Sequence, residues 1–271
     1  IENRIENKKL YRIISVDQGN YPKFNNSDIL NTKDGVINTM LGNRYLLYGF
    51  KGIQGGTAPV PKDYLKILEI VTALRNSQAP LENRVKILKM MGIRFYIWNK
   101  LNKRISPPDK RFYKLIKSYE PNQLELWELK DYQPVFTFKS KAFVNNSEKD
   151  IINFILNTKQ FSSDYFDLKD TVILYENEEY KKAISLVKKD KSLIIKESKV
   201  NLLEETANKI TLQVEAPASG YVVLANNHFK DWKAYDNGIE TPILKANFYQ
   251  QAIRVSSGKH QIKLIYYPFS F

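Results

Sequence analysis

From about residue 192 onward the apolar residues recur at every second position. Only an extended strand puts such residues on one face, because a helix returns to the same face every 3.6 residues. Ile210, Leu212 and Val214 alternate with Thr211, Gln213 and Glu215. Residues 221–225 are apolar, and Trp232-Lys233-Ala234-Tyr235 runs into Asp236-Asn237-Gly238. That last triplet is a hairpin signal, since a type I′ turn needs positive φ at both central residues and Asn-Gly tolerates it. Residues 252–255 and 261–267 flank Ser256-Ser257-Gly258-Lys259, a second turn. Short strands at this spacing, broken by Gly and Asn, predict an antiparallel β-sandwich of jelly-roll type over residues 191–271.

Upstream the period changes. Residues 10–17 form a short β-branched run closed by Gln18-Gly19-Asn20-Tyr21-Pro22, and residues 25–56 are loop-like in composition. Tyr64, Leu65, Leu68, Val71 and Leu74 mark one face of a helix over 62–74, behind Pro59 and Pro61. Leu81, Val85, Leu88 and Met91 mark a second, with Gly92 as its stop. Residues 93–98 alternate as a strand, and 99–117 form a basic connector with Pro107-Pro108, an expected surface excursion. Residues 124–129 and 135–143 look like paired strands across 130–134. A helix follows at 149–156, a strand at 171–175 and a helix at 178–187. The expected class is therefore α+β, with a mixed α/β part over residues 1–190 before the sandwich. The strands near 135–143 and 171–175 could add to either sheet.

Composition removes several classes of function. There is no cysteine, so disulfides, thiolate zinc sites and thiol nucleophiles are excluded. The chain carries 42 Lys+Arg against 29 Asp+Glu, a net charge of +13. Lysine outnumbers arginine 33 to 9, and the lysines are spread along the chain. Readers of nucleic acid lean on the planar arginine fork, so no nucleic-acid partner is expected; diffuse lysine suits anionic headgroups better. The longest stretch without a charged residue, 216–229, contains Pro217 and Gly220 and is too short to span a bilayer. The chain begins at Ile1 rather than methionine, as a processed or excised segment would.

Candidate chemistry is sparse. His228 and His260 are the only histidines and lack metal-ligand spacing, so both are expected at the surface or a strand edge. Gly52-Ile53-Gln54-Gly55-Gly56-Thr57 precedes a helix but lacks the ending of a P-loop. Glu125 and Glu128 flank Trp127 on an expected solvated strand face, and Asp164, Asp167 and Asp170 lie in an acidic turn. No cofactor or metal is expected, and no catalytic residue is assigned. The most informative cluster spans 226–235: Asn227, His228, Asp231, Trp232 and Tyr235 combine aromatic rings with amide and carboxylate neighbours, the chemistry by which proteins hold a sugar. The same pattern fits a Trp232 that faces the core beside a polar turn.

The C-terminal motifs carry a resemblance. Leu212-Gln213-Val214-Glu215-Ala216-Pro217, Gly220-Tyr221-Val222-Val223-Leu224, Trp232-Lys233-Ala234-Tyr235-Asp236-Asn237-Gly238 and Pro242-Ile243-Leu244-Lys245-Ala246-Asn247 stand in series. Ala252-Ile253-Arg254-Val255, Gly258-Lys259-His260 and the ending Leu264-Ile265-Tyr266-Tyr267-Pro268-Phe269-Ser270-Phe271 follow. Together they resemble the end of the large extracytoplasmic region of YfhO-like bacterial membrane proteins, a family of multi-spanning glycosyltransferases of the GT-C type that use lipid-linked sugars. Tyr11-Arg12-Ile13-Ile14 and the stretch from Gly52 to Tyr64 are similar to its earlier segments. Val135, Asp231 and Phe229-Lys230 depart from the pattern. The resemblance implies an accessory domain at the extracytoplasmic face of the cell membrane, tethered by flanking spanning helices and guiding a glycan or glycolipid acceptor. It also implies that this piece is not catalytic by itself, that Phe271 leads into a membrane helix, and that Ile1 and Phe271 share one side. The alternatives are a stand-alone carbohydrate-active hydrolase and a purely structural spacer.

Overall fold

The computed structural model describes residues 12–15, 51–52, 62–76, 80–101, 106–120, 123–145, 147–156, 167–175 and 198–267. It is β-rich, with few helices and several antiparallel sheets, in keeping with an α+β class. The chain divides into two compact units, Ile1–Val60 with Leu88–Pro134, and Pro61–Ile87 with Val135–Phe271.

The first unit holds one five-stranded sheet built from β1 (Arg12–Ser15), β2 (Lys51–Gly52), β3 (Ile93–Asn99), β4 (Tyr113–Tyr119) and β5 (Leu124–Leu129), in the order β2-β1-β3-β5-β4. β1 lies parallel to β2 and β3, whereas β5 is antiparallel to β3 and β4. β3 buries Ile93, Phe95, Tyr96 and Ile97, residues from both of its faces, as a central strand must. Gly92 adopts φ 75, the left-handed position that ends a helix, and its carbonyl receives the Arg12 amide at 2.7 Å. The expected basic excursion over 99–117 is therefore partly a strand: β4 forms the edge of this sheet.

The second unit carries α1 (Lys62–Asn76), α2 (Leu81–Met90, whose last turn falls in the first unit) and α3 (Glu148–Leu156). The buried stripe of α1 is centred on Ile67 and Val71 rather than on Leu65, which is exposed. α3 starts where Ser147 caps it, its hydroxyl accepting the Asp150 amide at 3.2 Å, and it buries Ile151 and Ile155.

Eleven strands complete this unit: β6 (Phe136–Lys139), β7 (Lys141–Val144), β8 (Thr171–Leu174), β9 (Lys199–Glu205), β10 (Lys209–Ala216), β11 (Gly220–Leu224), β12 (Trp232–Asp236), β13 (Ile239–Thr241), β14 (Leu244–Ala246), β15 (Gln250–Val255) and β16 (Gly258–Tyr266). One sheet runs β13-β12-β16-β10-β9, antiparallel throughout. The other runs β6-β11-β15-β14-β8-β7, with only the β7–β8 pair parallel. The Asn237-Gly238 turn between β12 and β13 has φ 50 and 87, the expected type I′ geometry. The turn at 256–257 joins β15 to β16, which lie in different sheets, so it is a corner between sheets and not a hairpin within one.

β6 and β7 stand at opposite edges of the six-stranded sheet yet are separated by Ser140 alone. Lys139 and Lys141 are two steps apart, at most about 7 Å, so the sheet curls until its two edges come close there. Val172, Leu174, Tyr221, Val223, Leu244, Ala246 and Ala252, drawn from four of its strands, form one buried cluster. Two expectations change here. Residues 135–143 do not pair with β5; β6 pairs with β11, Lys139 opposite Tyr221. The division at 190/191 does not describe the chain either, because β6, β7 and β8 share a sheet with β11, β14 and β15. The expected helix at 178–187 and both termini lie outside the described residues. No described helix is long and apolar enough to cross a membrane.

Candidate functional site

The loop after β11 brings His228 to one end of the six-stranded sheet. Its amide donates to the Tyr249 carbonyl at 2.8 Å, and its ring Nε2 lies 3.4 Å from the Ile243 carbonyl. The side chain is half-buried, and burial pushes its pKa below the usual imidazole value. The Ile243 carbonyl opposes that shift, the Lys245 cation adds to it, and Asp63 works against it. The result is a neutral imidazole.

Around it stands a set of paired charges. Lys245 on β14 meets Asp63 in the first turn of α1 at 2.7 Å, and its ammonium sits 4.6 Å from the Tyr175 ring centre. Lys66, one turn further along α1, meets Glu148 at 2.7 Å and lies 5.9 Å from the Phe248 ring. Tyr175 closes β8, with its amide on the Lys245 carbonyl at 3.2 Å. Its hydroxyl is buried without a hydrogen-bond partner, and burial, reinforced by Glu148 and Asp63, holds the phenol well above its usual range.

Beneath the loop lies a buried amide network. The Asn247 side chain accepts the Ile173 amide at 2.9 Å and donates to Gln250 Oε1 at 2.8 Å. Gln251, 1% exposed, donates to the Asn227 carbonyl at 2.8 Å. Its own Oε1, and Asn227 Oδ1, are buried with no partner. The turn that carries this network holds Asn247 and Phe248 at φ 43 and 80. A left-handed Phe is costly and persists only where its surroundings enforce it, here full burial of the ring.

The five sequence-predicted residues are not brought to one surface. Asn227 and His228 belong to the site just described. Trp232 shares the sheet face of the fully buried Ala234 and packs on Tyr266, ring centres 5.3 Å apart. Tyr235 is on the opposite face, where its hydrogen bond with Tyr267, which favours the protonated phenol, raises its pKa. Alternation along β12 puts them on opposite sides, so they cannot form one sugar platform. The Asp231 carbonyl receives the Tyr267 amide at 2.9 Å, a structural bond at the strand end.

Other candidates resolve into structural roles. His260, expected at the surface or a strand edge, is 7% exposed on β16, an inner strand between β12 and β10. Its Nδ1 lies 2.9 Å from both Asp236 carboxylate oxygens and its Nε2 3.0 Å from the Ser256 carbonyl. This is two thirds of a catalytic triad in geometry, but the nitrogen that would activate a nucleophile faces a main-chain carbonyl. Glu125, expected on a solvated face, is 8% exposed, accepts a hydrogen bond from the Trp127 indole N–H at 2.9 Å and pairs with Lys100 at 3.1 Å. Glu128 pairs with Arg94 at 2.7 Å. In the acidic turn, Asp170 is engaged by Thr171 at 2.7 Å and Lys141 at 2.6 Å, and Asp167 Oδ1 by the Lys169 amide at 2.9 Å. Asp164 and residues 53–57 of the glycine-rich stretch lie outside the described residues.

Sequence reasoning missed Lys245, Gln251 and Tyr175, which stand 17 residues from His228, 24 from Asn227 and 52 from Asn227 and meet the loop only through the sheet. The one available signal was the buried-polar run Asn247-Phe248-Tyr249-Gln250-Gln251, an amide-rich turn between apolar strands. Compared with family profiles, curated proteins and solved structures, the chain matches none of them.

Proposed function

We propose that this chain is an extracytoplasmic accessory domain of a multi-spanning membrane glycosyltransferase, and that the His228 end of its curled sheet holds a glycan or glycolipid acceptor. In this reading the two sheets of the second unit pack as a jelly-roll-like sandwich, and the first unit is its mixed α/β companion. The parent class and the location rest on the C-terminal resemblance. The ligand class rests on one observation: Asn227 Oδ1, Gln251 Oε1 and the Tyr175 hydroxyl are buried without partners around a half-buried neutral imidazole. A buried polar atom left unpaired costs about 1–3 kcal/mol, so such a group is retained where something hydrogen-bonds to it. Two of the three are amide oxygens, which call for donors, and the neighbouring charges already neutralise one another in Asp63–Lys245 and Glu148–Lys66. A hydroxyl-rich neutral ligand answers that need better than a phosphate or carboxylate.

The test is a glycan array followed by calorimetry on the best binder. Asn227→Ala and His228→Gln are each expected to weaken binding about tenfold while leaving the unfolding midpoint close to that of the parent. An array without binders, or an affinity indifferent to both substitutions, refutes the assignment and leaves the structural-spacer reading.

A further inference from the structure

The six-stranded sheet of the second unit has one short join, between β14 and β8. The pairs β6–β11, β11–β15, β15–β14 and β8–β7 each share three or more facing residues. β14 and β8 share one, Ala246 opposite Leu174. On either side of it the ladder continues through the Tyr175 amide on the Lys245 carbonyl at 3.2 Å and the Asn247 amide on the Ile173 carbonyl at 2.8 Å. A bonded pair in an antiparallel ladder exchanges two main-chain hydrogen bonds. Between Asn247 and Ile173 the second one comes from a side chain: the Ile173 amide donates to Asn247 Oδ1 at 2.9 Å.

Asn247 reaches the other way as well. Its Nδ2 donates to Gln250 Oε1 at 2.8 Å, across the turn that leads into β15. That turn holds Asn247 at φ 43 and Phe248 at φ 80. Three demands therefore meet at a position that is 1% exposed: a left-handed backbone, an acceptor for Ile173 and a donor for Gln250. Glycine meets only the first, and an ionised aspartate lacks the donor. Asparagine meets all three.

The candidate site hangs from this stitch. Just past the turn, the Tyr249 carbonyl takes the His228 amide at 2.8 Å and Gln251 Nε2 donates to the Asn227 carbonyl at 2.8 Å. On the other strand, Tyr175 stands two residues beyond Ile173. Asn227, Gln251 and Tyr175, the residues there with buried and unpartnered groups, thus all depend on the two strands that Asn247 joins. Fixing such groups before a ligand arrives removes their ordering cost from binding.

We propose that Asn247 is the positioning residue of the His228 site, tying β8 to the turn before β15 so that Tyr175 on one side and Asn227, His228 and Gln251 on the other are held in place. The inference rests on the reading of this end as a binding site, but its test uses no ligand, so a blank glycan array would refute that reading without moving the readout used here. The experiment is amide hydrogen exchange by NMR on the whole 271-residue chain, following the amides of His228 and Tyr175. Asn247→Gly tolerates the left-handed backbone and removes both side-chain bonds, so exchange at both amides should quicken about tenfold and the His228 ring resonances should shift. Gln250→Met keeps the side-chain length and removes only the acceptor for Asn247 Nδ2; it should quicken the His228 amide by a smaller factor, and it carries the test if Asn247→Gly does not fold. Val214→Ala, a cavity in the fully buried core face of β10, should lower the melting temperature and leave both amides at the parent rate. Parent exchange rates in folded Asn247→Gly, or in Gln250→Met where that variant carries the test, overturn the proposal. So does quickening of only one of the two amides in Asn247→Gly, or equal quickening in Val214→Ala, because the amides would then report one strand or overall stability alone.

Discussion

Lys139 offers the sharpest test of the curled sheet. It is 2% exposed on β6, and its ammonium donates to the main-chain carbonyls of Leu168 and of Lys169, with Asp167 and Asp170 nearby. Burial lowers its pKa from 10.5 to about 8, against the pull of the two aspartates. Between those values the unfolded chain binds a proton that the folded chain does not. Stability therefore rises as pH climbs: the cost of the buried charge is fully present below pH 8 and relieved by pH 10.5. A gap of that size corresponds to about 3 kcal/mol, of which about 2 kcal/mol develops between neutrality and pH 10. Lys139→Met keeps the length of the side chain and removes the charge, so its stability lacks this slope. Lys86, also lowered to about 8 by burial, is present in both proteins and cancels in the comparison. The assay is the urea midpoint of parent and variant at several pH values. The parent should gain about 2 kcal/mol on the variant as pH is raised. A difference that stays flat would refute the burial of Lys139 as a charged group, and with it the closure of β6 over the 167–170 turn.

Two glycines separate steric from conformational cost. At Gly220 an added Cβ would lie 2.5 Å from the Lys139 carbonyl oxygen and 2.5 Å from Phe138 Cζ, so Gly220→Ala should destabilise by about 1–3 kcal/mol, read as a lower melting temperature. At Gly238 nothing stands within 4 Å of that position but φ is +87, so Gly238→Val should cost about 1–2 kcal/mol through the backbone alone, and Gly238→Asn should recover most of it.

Local signals in the sequence determined the elements whose geometry depends only on neighbours in the chain. The Asn237-Gly238 hairpin, the alternation of β10, the stop at Gly92 and the start of α3 all follow from backbone preferences acting over a few residues. What they could not specify is which strand lies beside which. β6 pairs with β11, more than eighty residues away, and the turn after β15 changes sheets, because pairing is decided by the burial available across the whole unit and not by the turn between two strands. The same limit governed the candidate site. Asn227 and His228 could be read as a polar loop, but Gln251, Tyr175, Lys245 and Asp63 reach them only after α1, β8, β14 and β15 are assembled. Trp232 and Tyr235, adjacent in pattern, were parted by the alternation of a strand whose inward face was unknown until its partners were in place. Burial itself is a tertiary quantity. A lysine at 139, a glutamate at 125 and a histidine at 260 all look solvated in the sequence, and each is enclosed because distant carbonyls, an indole or a carboxylate satisfy its polar atoms.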